Sequence, residues 1–545
     1  MPLRLLPLLA LATCLGLTAV PAPVAQGQTS ATTPGVIIRI RPIDTIQADV
    51  KYLLKAVGQE EAGAQVDELL KLYTENSGVD TKRPLGGYAL LGAKSTDTVG
   101  VIMLPISNEK AFLKKLDGLN YVVKEAGGVH TVKELAGGQD GHMRFANGYA
   151  YVASDASAVK EAGKLLAASA VFDPKDTAAV SVILRMNGIP AGVRDEFLKE
   201  LAKNTDAANG QKLPDESEAL TKFRIALLAN MQDQFKAYLT DGNELALRFD
   251  IDQKAGEVSI DTSFNAKPGT KLAANLKSWE AKSLFGGALG SDSALNLLVN
   301  VAMADDLKKA LGPVIDEGMV KAIQAQSKDS DKAISEKFLK VLAPTLKAGE
   351  LDMALTLRGP NKNNKYTVVS GIKVKDGKAI ETALRDIVKN LKDEEQKRIT
   401  LDADKIGTVN VHKLDILKDV TEKGKSVFGD GPLFFALRPD AAYFAGGDDA
   451  MAALKDAVNA KPATAPAVQF EMSINRFATI LANEDPGIAK AAEAAFKAKG
   501  SDKVRVVMEG GNAMRLRFSV KTEVIRFLVE AAKMKGVIPG GAANQ

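Results

Sequence analysis

Apolar and polar residues alternate with period two over many short stretches of this chain, and a period near 3.6 takes over between them. The alternation Val504, Val506, Met508, followed after Glu509-Gly-Gly-Asn512 by Met514, Leu516, Phe518, predicts a hairpin. Its apolar positions are expected to face the core, with Arg505, Arg515 and Arg517 on the other, solvated face. Asn147-Gly148 between Phe145-Ala146 and Tyr149-Ala-Tyr-Val152 predicts a second hairpin, because both turn residues tolerate positive φ. Helices are predicted where apolar residues four apart follow a good N-cap. Asn108 precedes Phe112 and Leu116, and Asp376 precedes Ile380 and Leu384.

These two helices are 268 residues apart, and the spacing belongs to a longer correspondence. Gly87-Tyr-Ala-Leu, Gly100-Val-Ile-Met-Leu and the Asn108 helix run in the same order as Asp352-Met-Ala-Leu, Tyr366-Thr-Val-Val and the Asp376 helix. Val129-His130 matches Val411-His412 at a spacing of 282, and Ala179-Val-Ser-Val matches Ala467-Val-Gln-Phe at 288. Each copy ends in an alternating hairpin and a helix, predicted near Gly269 to Trp279 in the first and Glu523 to Met534 in the second. The expectation is an α+β protein made by internal duplication of two halves of about 250 residues, 36–285 and 291–540, joined by a Gly-rich junction at 286–290. Short turns make each sheet antiparallel, with helices covering one side. Two stretches lie outside the correspondence: Asn209 to Glu218, expected to be a loop or flap, and the Lys-rich Gln324 to Lys340, an exposed helix or internal linker.

The N-terminus changes the cellular setting. Arg4, an apolar run from Leu5 to about Val20 and the exit Ala25-Gln26-Gly27 predict a secretory signal peptide over residues 1–27, followed by a disordered lead-in at 28–35. A lipoprotein anchor at Cys14 is the alternative, disfavoured by Thr13 before it. Cleavage removes the only Cys and leaves a formal charge of +3, so the mature chain has neither disulfide nor thiol chemistry and no footprint for nucleic acid. No second apolar stretch reaches the length of a membrane span, and residues 541–545 form a tail. A secreted or periplasmic location follows.

Catalytic signatures are absent. The chain has no His-x-x-Glu-His or His-Glu-x-x-His, no Gly-x-Ser-x-Gly and no phosphate-binding loop with Gly-Lys-Ser/Thr. Acid pairs at Asp305-Asp306, Glu394-Glu395 and Asp448-Asp449 are expected to be helix caps or solvated faces. No cofactor is called for. The sharpest chemical candidates are the matched His130 and His412, which could share a metal across two related halves; the bland reading makes both half-buried strand residues. Trp279, the only Trp, is expected at a core or seam position.

The Gly-Tyr-Ala strand, the aliphatic strand, the Asn- or Asp-capped helix and the hairpin Phe145-Ala … Tyr151-Val-Ala-Ser-Asp155 resemble modules of secreted bacterial proteins of unknown function, best over 80–166 and less well over 350–458. The resemblance implies export and modular folding and transfers no activity. The sequence is therefore read as a non-enzymatic binding or structural protein of the cell envelope. The alternatives are a carrier of a hydrophobic ligand such as a lipid, and a hydrolase with an unrecognised carboxylate site.

Overall fold

The computed structural model describes residues 33–93, 97–134, 140–211, 213–214, 216–290, 292–415, 420–482 and 485–535. The expected signal peptide, Cys14, most of the lead-in and the 541–545 tail lie outside the described residues. The fold is mixed α+β. It divides into two compact units: unit 1 runs to Glu200 and includes Leu239–Asn265, and unit 2 comprises Leu201–Tyr238 and the chain from Ala266. No helix among the described residues is long and apolar enough to cross a membrane.

Unit 1 contains strands β1 (Val36–Ile40), β2 (Leu85–Leu90), β3 (Val99–Pro105), β4 (Tyr121–Ala126), β5 (Val129–Glu134), β6 (Gly141–Ala146), β7 (Tyr149–Ala153), β8 (Val180–Arg185), β9 (Gly242–Asp252) and β10 (Glu257–Ala266). Their spatial order is β10-β9-β8-β1-β2-β3-β7-β6-β5-β4, antiparallel from β9 to β4. The turn between β6 and β7 is made by Asn147 and Gly148, at φ 54° and 73°, as the Asn-Gly pair predicts.

Unit 2 contains β11 (Ala281–Ser283), β12 (Ser293–Ala302), β13 (Glu350–Arg358), β14 (Thr367–Lys373), β15 (Ile399–Ile406), β16 (Val409–Leu414), β17 (Leu433–Arg438), β18 (Ala441–Gly447), β19 (Ala463–Ala465), β20 (Val468–Ser473), β21 (Lys503–Glu509) and β22 (Ala513–Lys521). Ten of these order as β22-β21-β20-β12-β13-β14-β18-β17-β16-β15, all antiparallel, while β11 and β19 pair separately. Strand for strand this is the pairing order of unit 1.

The helices that link the strands start as their caps dictate. Asn108 Oδ1 accepts from Ala111 N at 3.0 Å to open the helix Glu109–Gly118, and Asp376 Oδ1 accepts from Ala379 N at 2.9 Å to open Gly377–Lys389. Both faces of the central strands are covered, where the sequence reading expected one. In unit 1, Tyr149 and Tyr151 pack with Ile37, Met103 and Phe172, while the alternate residues Ala150 and Val152 pack with Phe112 and Leu116 of the Asn108 helix. In unit 2, Tyr443 and Ala445 pack on Leu454 and Ala457 of the helix Ala450–Asn459. Ala442 on the opposite face meets Ile380 and, from the helix Asp329–Lys347, Phe338 and Leu342. The Lys-rich segment Gln324 to Lys340 is, over 329–340, the mostly exposed helix that the sequence suggests, with Phe338 the side chain it turns inward.

Residues 286–290 do not form a free linker. Phe285, 1% exposed, belongs to the core of unit 2 and lies over Gly371, where a Cβ would come within 2.4 Å of its ring. Ser283 Oγ donates to Asp352 at 2.6 Å, and β11 pairs with β19. These contacts tie the chain before the junction to unit 2, and the division between units falls near residue 265 instead. The stretch expected as a flap, Asn209 to Glu218, joins two long helices, Ala191–Gly210 and Glu218–Asp241.

Candidate functional site

The alternation of β20, β21 and β22 is as the sequence predicts, and Arg505 and Arg515 are solvated as expected, but the apolar set is not buried either. In unit 2, Leu295, Leu297 and Val299 of β12 stand in register with Met472, Phe470 and Val468 of β20. These in turn stand against Val504, Val506 and Met508 of β21, and then Val520, Phe518 and Leu516 of β22. Leu357, Leu355 and Met353 of β13 extend the grid on the other side. All fifteen side chains are apolar and none is buried. Phe518 is 41% and Leu516 43% exposed. The expectation that Val504, Val506, Met508, Leu516 and Phe518 mark the buried face is therefore corrected. Period two assigns residues to faces without saying which face the helices cover.

The covered face carries a polar row. Thr356, Asn296, Glu471, Arg505 and Ser519 are in register across β13, β12, β20, β21 and β22, and all but Arg505 are buried. Glu471 accepts from Lys503 Nζ at 2.8 Å and pairs with Arg505. Burial alone would raise the Glu471 carboxyl, but the two cations hold it below the usual carboxylate range. Unit 1 repeats the arrangement on its matching strands. Arg39, Ser181 and Arg248 form the polar row, and Arg248 donates to Ser263 at 2.8 Å and pairs with Asp176 at 3.3 Å. The opposite face carries Val36, Ile38 and Ile40, then Val180, Val182 and Leu184, then Leu245, Leu247 and Phe249. It grades from buried Ile38 to Leu247 at 48% and Phe249 at 37% exposure.

The two candidate histidines fall in different units. His130 on β5 stands opposite Met143 of β6, its ring 5.3 Å from that of Phe145. His412 on β16 lies 5.0 Å from the ring of Phe435 on β17. His412 alone belongs to a polar cluster, with Glu381 and Arg385 from the helix Gly377–Lys389 and Asp402 from β15. The ligand atoms of Glu381, Asp402 and His412 all lie within 4.8 Å of one another.

The chemistry of that cluster is an ion-pair clamp. Arg385 holds Asp402 in a fork, at 2.7 and 2.6 Å, and reaches Glu381 at 2.5 Å. His412 is fully buried, and its Nδ1 accepts the Asp402 N–H at 3.1 Å. The neutral ring therefore carries its proton on Nε2, which leaves no lone pair there for a metal. A cation would also have to displace the guanidinium from both carboxylates. Hydrogen bonds from Arg385 hold Asp402 below the ordinary range; Glu381, raised by burial, is brought lower still by Arg385 and Asn410. At the same spacing of 268, unit 1 has Leu113 and Asp117 where unit 2 has Glu381 and Arg385, so the clamp is particular to unit 2.

The acid pairs are first-turn or solvated groups rather than side-chain caps, and Asp449, at the N-cap position of the helix Ala450–Asn459, makes no capping hydrogen bond. Asp305 and Asp306 lie in the first turn of the helix Asp305–Gln324, Glu394 is in the short helix Asp393–Gln396, and Asp448 and Asp449 accept from Asn361. A surface pocket of about 260 Å³ lies beside Asp449, lined also by Arg358, Asn361, Lys365 and Thr367. Its polar groups are already engaged: Lys365 on the carbonyls of Lys425 and Ser426, Arg358 on Asp456. Trp279 caps the helix Lys271–Ser278 and is 37% exposed, against Gly510. Neither a family model nor a curated protein nor a solved structure matches the chain.

Proposed function

We propose that this is an exported, non-enzymatic binding protein built from two copies of one α+β module, and that its ligand is hydrophobic, of the acyl-lipid class. The observation that carries the reading is the apolar grid on β13, β12, β20, β21 and β22, none of it buried and most exposed at Leu516 and Phe518, while the opposite side is buried from Thr356 through Asn296 to Glu471. A sheet that uses its apolar face only for its own core does the opposite. Contiguous exposed apolar surface on a soluble protein marks a place where something else binds. The grid offers no donor, acceptor or charge, which suits an alkyl chain that needs none. Met353, Met472 and Met508 add side chains that adapt to an occupant of variable shape. Duplication is supported by the matched strand order and by the repeated His–Phe pairs. Export is supported by the signal-like N-terminus.

The test is mass spectrometry of protein purified without detergent, together with titration by a fluorescent fatty acid. Bound hydrophobe and saturable probe binding are expected, weakened at least tenfold in Phe518→Asp and Leu516→Asp, both of which replace partly solvated residues. No bound hydrophobe and no saturable binding, or binding indifferent to these substitutions, would overturn the reading.

A further inference from the structure

The hairpin β15–β16 forms one end of the sheet of unit 2, and a single group of side chains ties it to the helix Gly377–Lys389. The pairing is irregular at one place. Between Thr400↔Lys413 and Asp404↔Val411, three residues of β15 stand against the lone His412. The middle residue of the three, Asp402, has φ 56°, a conformation few non-glycine residues adopt. That backbone turns the Asp402 N–H onto His412 Nδ1 at 3.1 Å and sends the carboxylate to Arg385.

A backbone N–H is a donor at every pH, so Nδ1 must remain the acceptor as long as the bulge is closed. The other nitrogen already carries the proton of the neutral ring. A second proton can enter only at Nδ1, where it meets the Asp402 N–H head on. We propose that His412 is an acid-sensitive latch: when Nδ1 takes a proton, the Asp402 amide is expelled, the bulge opens and the β15–β16 hairpin is released from the helix.

The groups around the ring decide how the latch is poised. From the helix come Glu381, with Oε1 3.4 Å from Nε2 but not in hydrogen-bonding alignment, and Arg385; from β15 comes Asp402; from β17 the neighbour is the uncharged Phe435. Burial disfavours the imidazolium and Arg385 repels it, while Glu381 and Asp402 attract it. Burial prevails, so the ring is neutral at pH 7 and the latch closed. Once the amide has left, Glu381 is positioned to pair with the cation, which gives the open state a partner of its own. In unit 1, His130 is partly exposed, and β4 pairs with β5 residue by residue without a bulge.

Hydrogen exchange of the full chain, followed by mass spectrometry on peptides covering 399–414 and corrected for the intrinsic pH dependence, tests this between pH 8 and 4.5. Wild-type protection of the hairpin is expected to be flat near neutrality and then to fall about tenfold per pH unit once His412 begins to titrate, with 121–134 unaffected. His412→Asn keeps an acceptor near the Nδ1 position and cannot titrate, so its hairpin should stay protected throughout. Equal profiles in wild type and H412N would overturn the latch. Should H412N not fold, the wild type still decides, because its three histidines can be isotope-labelled and followed by NMR. Loss of the Nδ1-acceptor signal of His412 together with deprotection supports the latch, whereas a hairpin that opens while His412 stays neutral refutes it.

Discussion

Replacing Glu471 by Leu tests directly whether the polar row of unit 2 is covered. If the polar row of unit 2 is truly covered, the substitution strands Lys503, whose side chain is only 13% exposed, against an apolar neighbour. At an effective dielectric of ~20, the 2.8 Å ammonium–carboxylate contact is worth about 6 kcal/mol before desolvation is subtracted. Breaking one partner of a buried pair costs about 3–5 kcal/mol, mostly from the charge left behind. Arg505, half exposed, loses its partner too but is resolvated at little cost. The single substitution should therefore destabilise unit 2 by roughly 3–5 kcal/mol, and the double variant Glu471→Leu/Lys503→Leu should recover most of it, a coupling of roughly 2–3 kcal/mol. The assay is urea unfolding followed by the fluorescence of Trp279, the only Trp, which sits in unit 2 against Gly510 at the end of β21. With an m-value of roughly 3 kcal/mol/M, the single variant should unfold about 1–1.7 M earlier. A shift worth less than 1 kcal/mol in the single variant would mean that this face is solvated, and the binding face would have to be sought elsewhere.

Two further outcomes follow from the same structure. Gly377→Ala should destabilise unit 2 severely, because a Cβ there would lie 1.8 Å from the backbone oxygen of Arg438; Gly118→Ala, at the end of the corresponding helix with no atom within 4 Å, should be neutral or slightly stabilising, and a thermal melt of each distinguishes them. Acid should destabilise unit 2, since Asp402, Glu381 and Glu471 all titrate lower folded than unfolded. Their stabilisation is complete above pH 4.5 and declines as pH falls through the unfolded values of 4.5 and 3.8, because the unfolded chain takes up protons first; urea midpoints between pH 7 and 2.5 should show that slope, and a flat profile would contradict the ion-pair assignments.

What was legible in the sequence was what local rules determine. Asn108 and Asp376 cap helices, Asn147-Gly148 turns a hairpin, and the strands fall where residues alternate, because each depends on a few neighbouring residues. The place where one unit ends was not legible. Gly286-Gly287 looks like a linker, yet Phe285 is held over Gly371, some 86 residues away, and no local pattern reports that contact. The clamp was half visible. Glu381 and Arg385 are four apart on a helix and make a recognisable pair, but Asp402 and His412 join them only through a bulge, and nothing in Leu401-Asp402-Ala403 announces that Asp402 takes φ 56°.

The unburied apolar set is the most instructive failure, because the alternation itself was read correctly. Period two sorts residues into two sets; which set is buried depends on where helices from distant parts of the chain settle. The usual inference that the apolar set is inside assumes that the chain must cover its own apolar surface. Here the inward set includes polar residues that are paired for it, with buried Glu471 between Lys503 and the half-exposed Arg505 in one unit and buried Asp176 beside Arg248 in the other. Paired buried charges of this kind gain little stability over apolar residues of similar volume, so stability alone does not account for placing them there. The arrangement makes sense if the apolar parity is reserved for something outside the chain. In unit 1 the corresponding face is buried at Ile38 of β1 and opens only toward Leu247 and Phe249 of β9, so the apolar parity is free at the β9 end there and across β20 to β22 in unit 2.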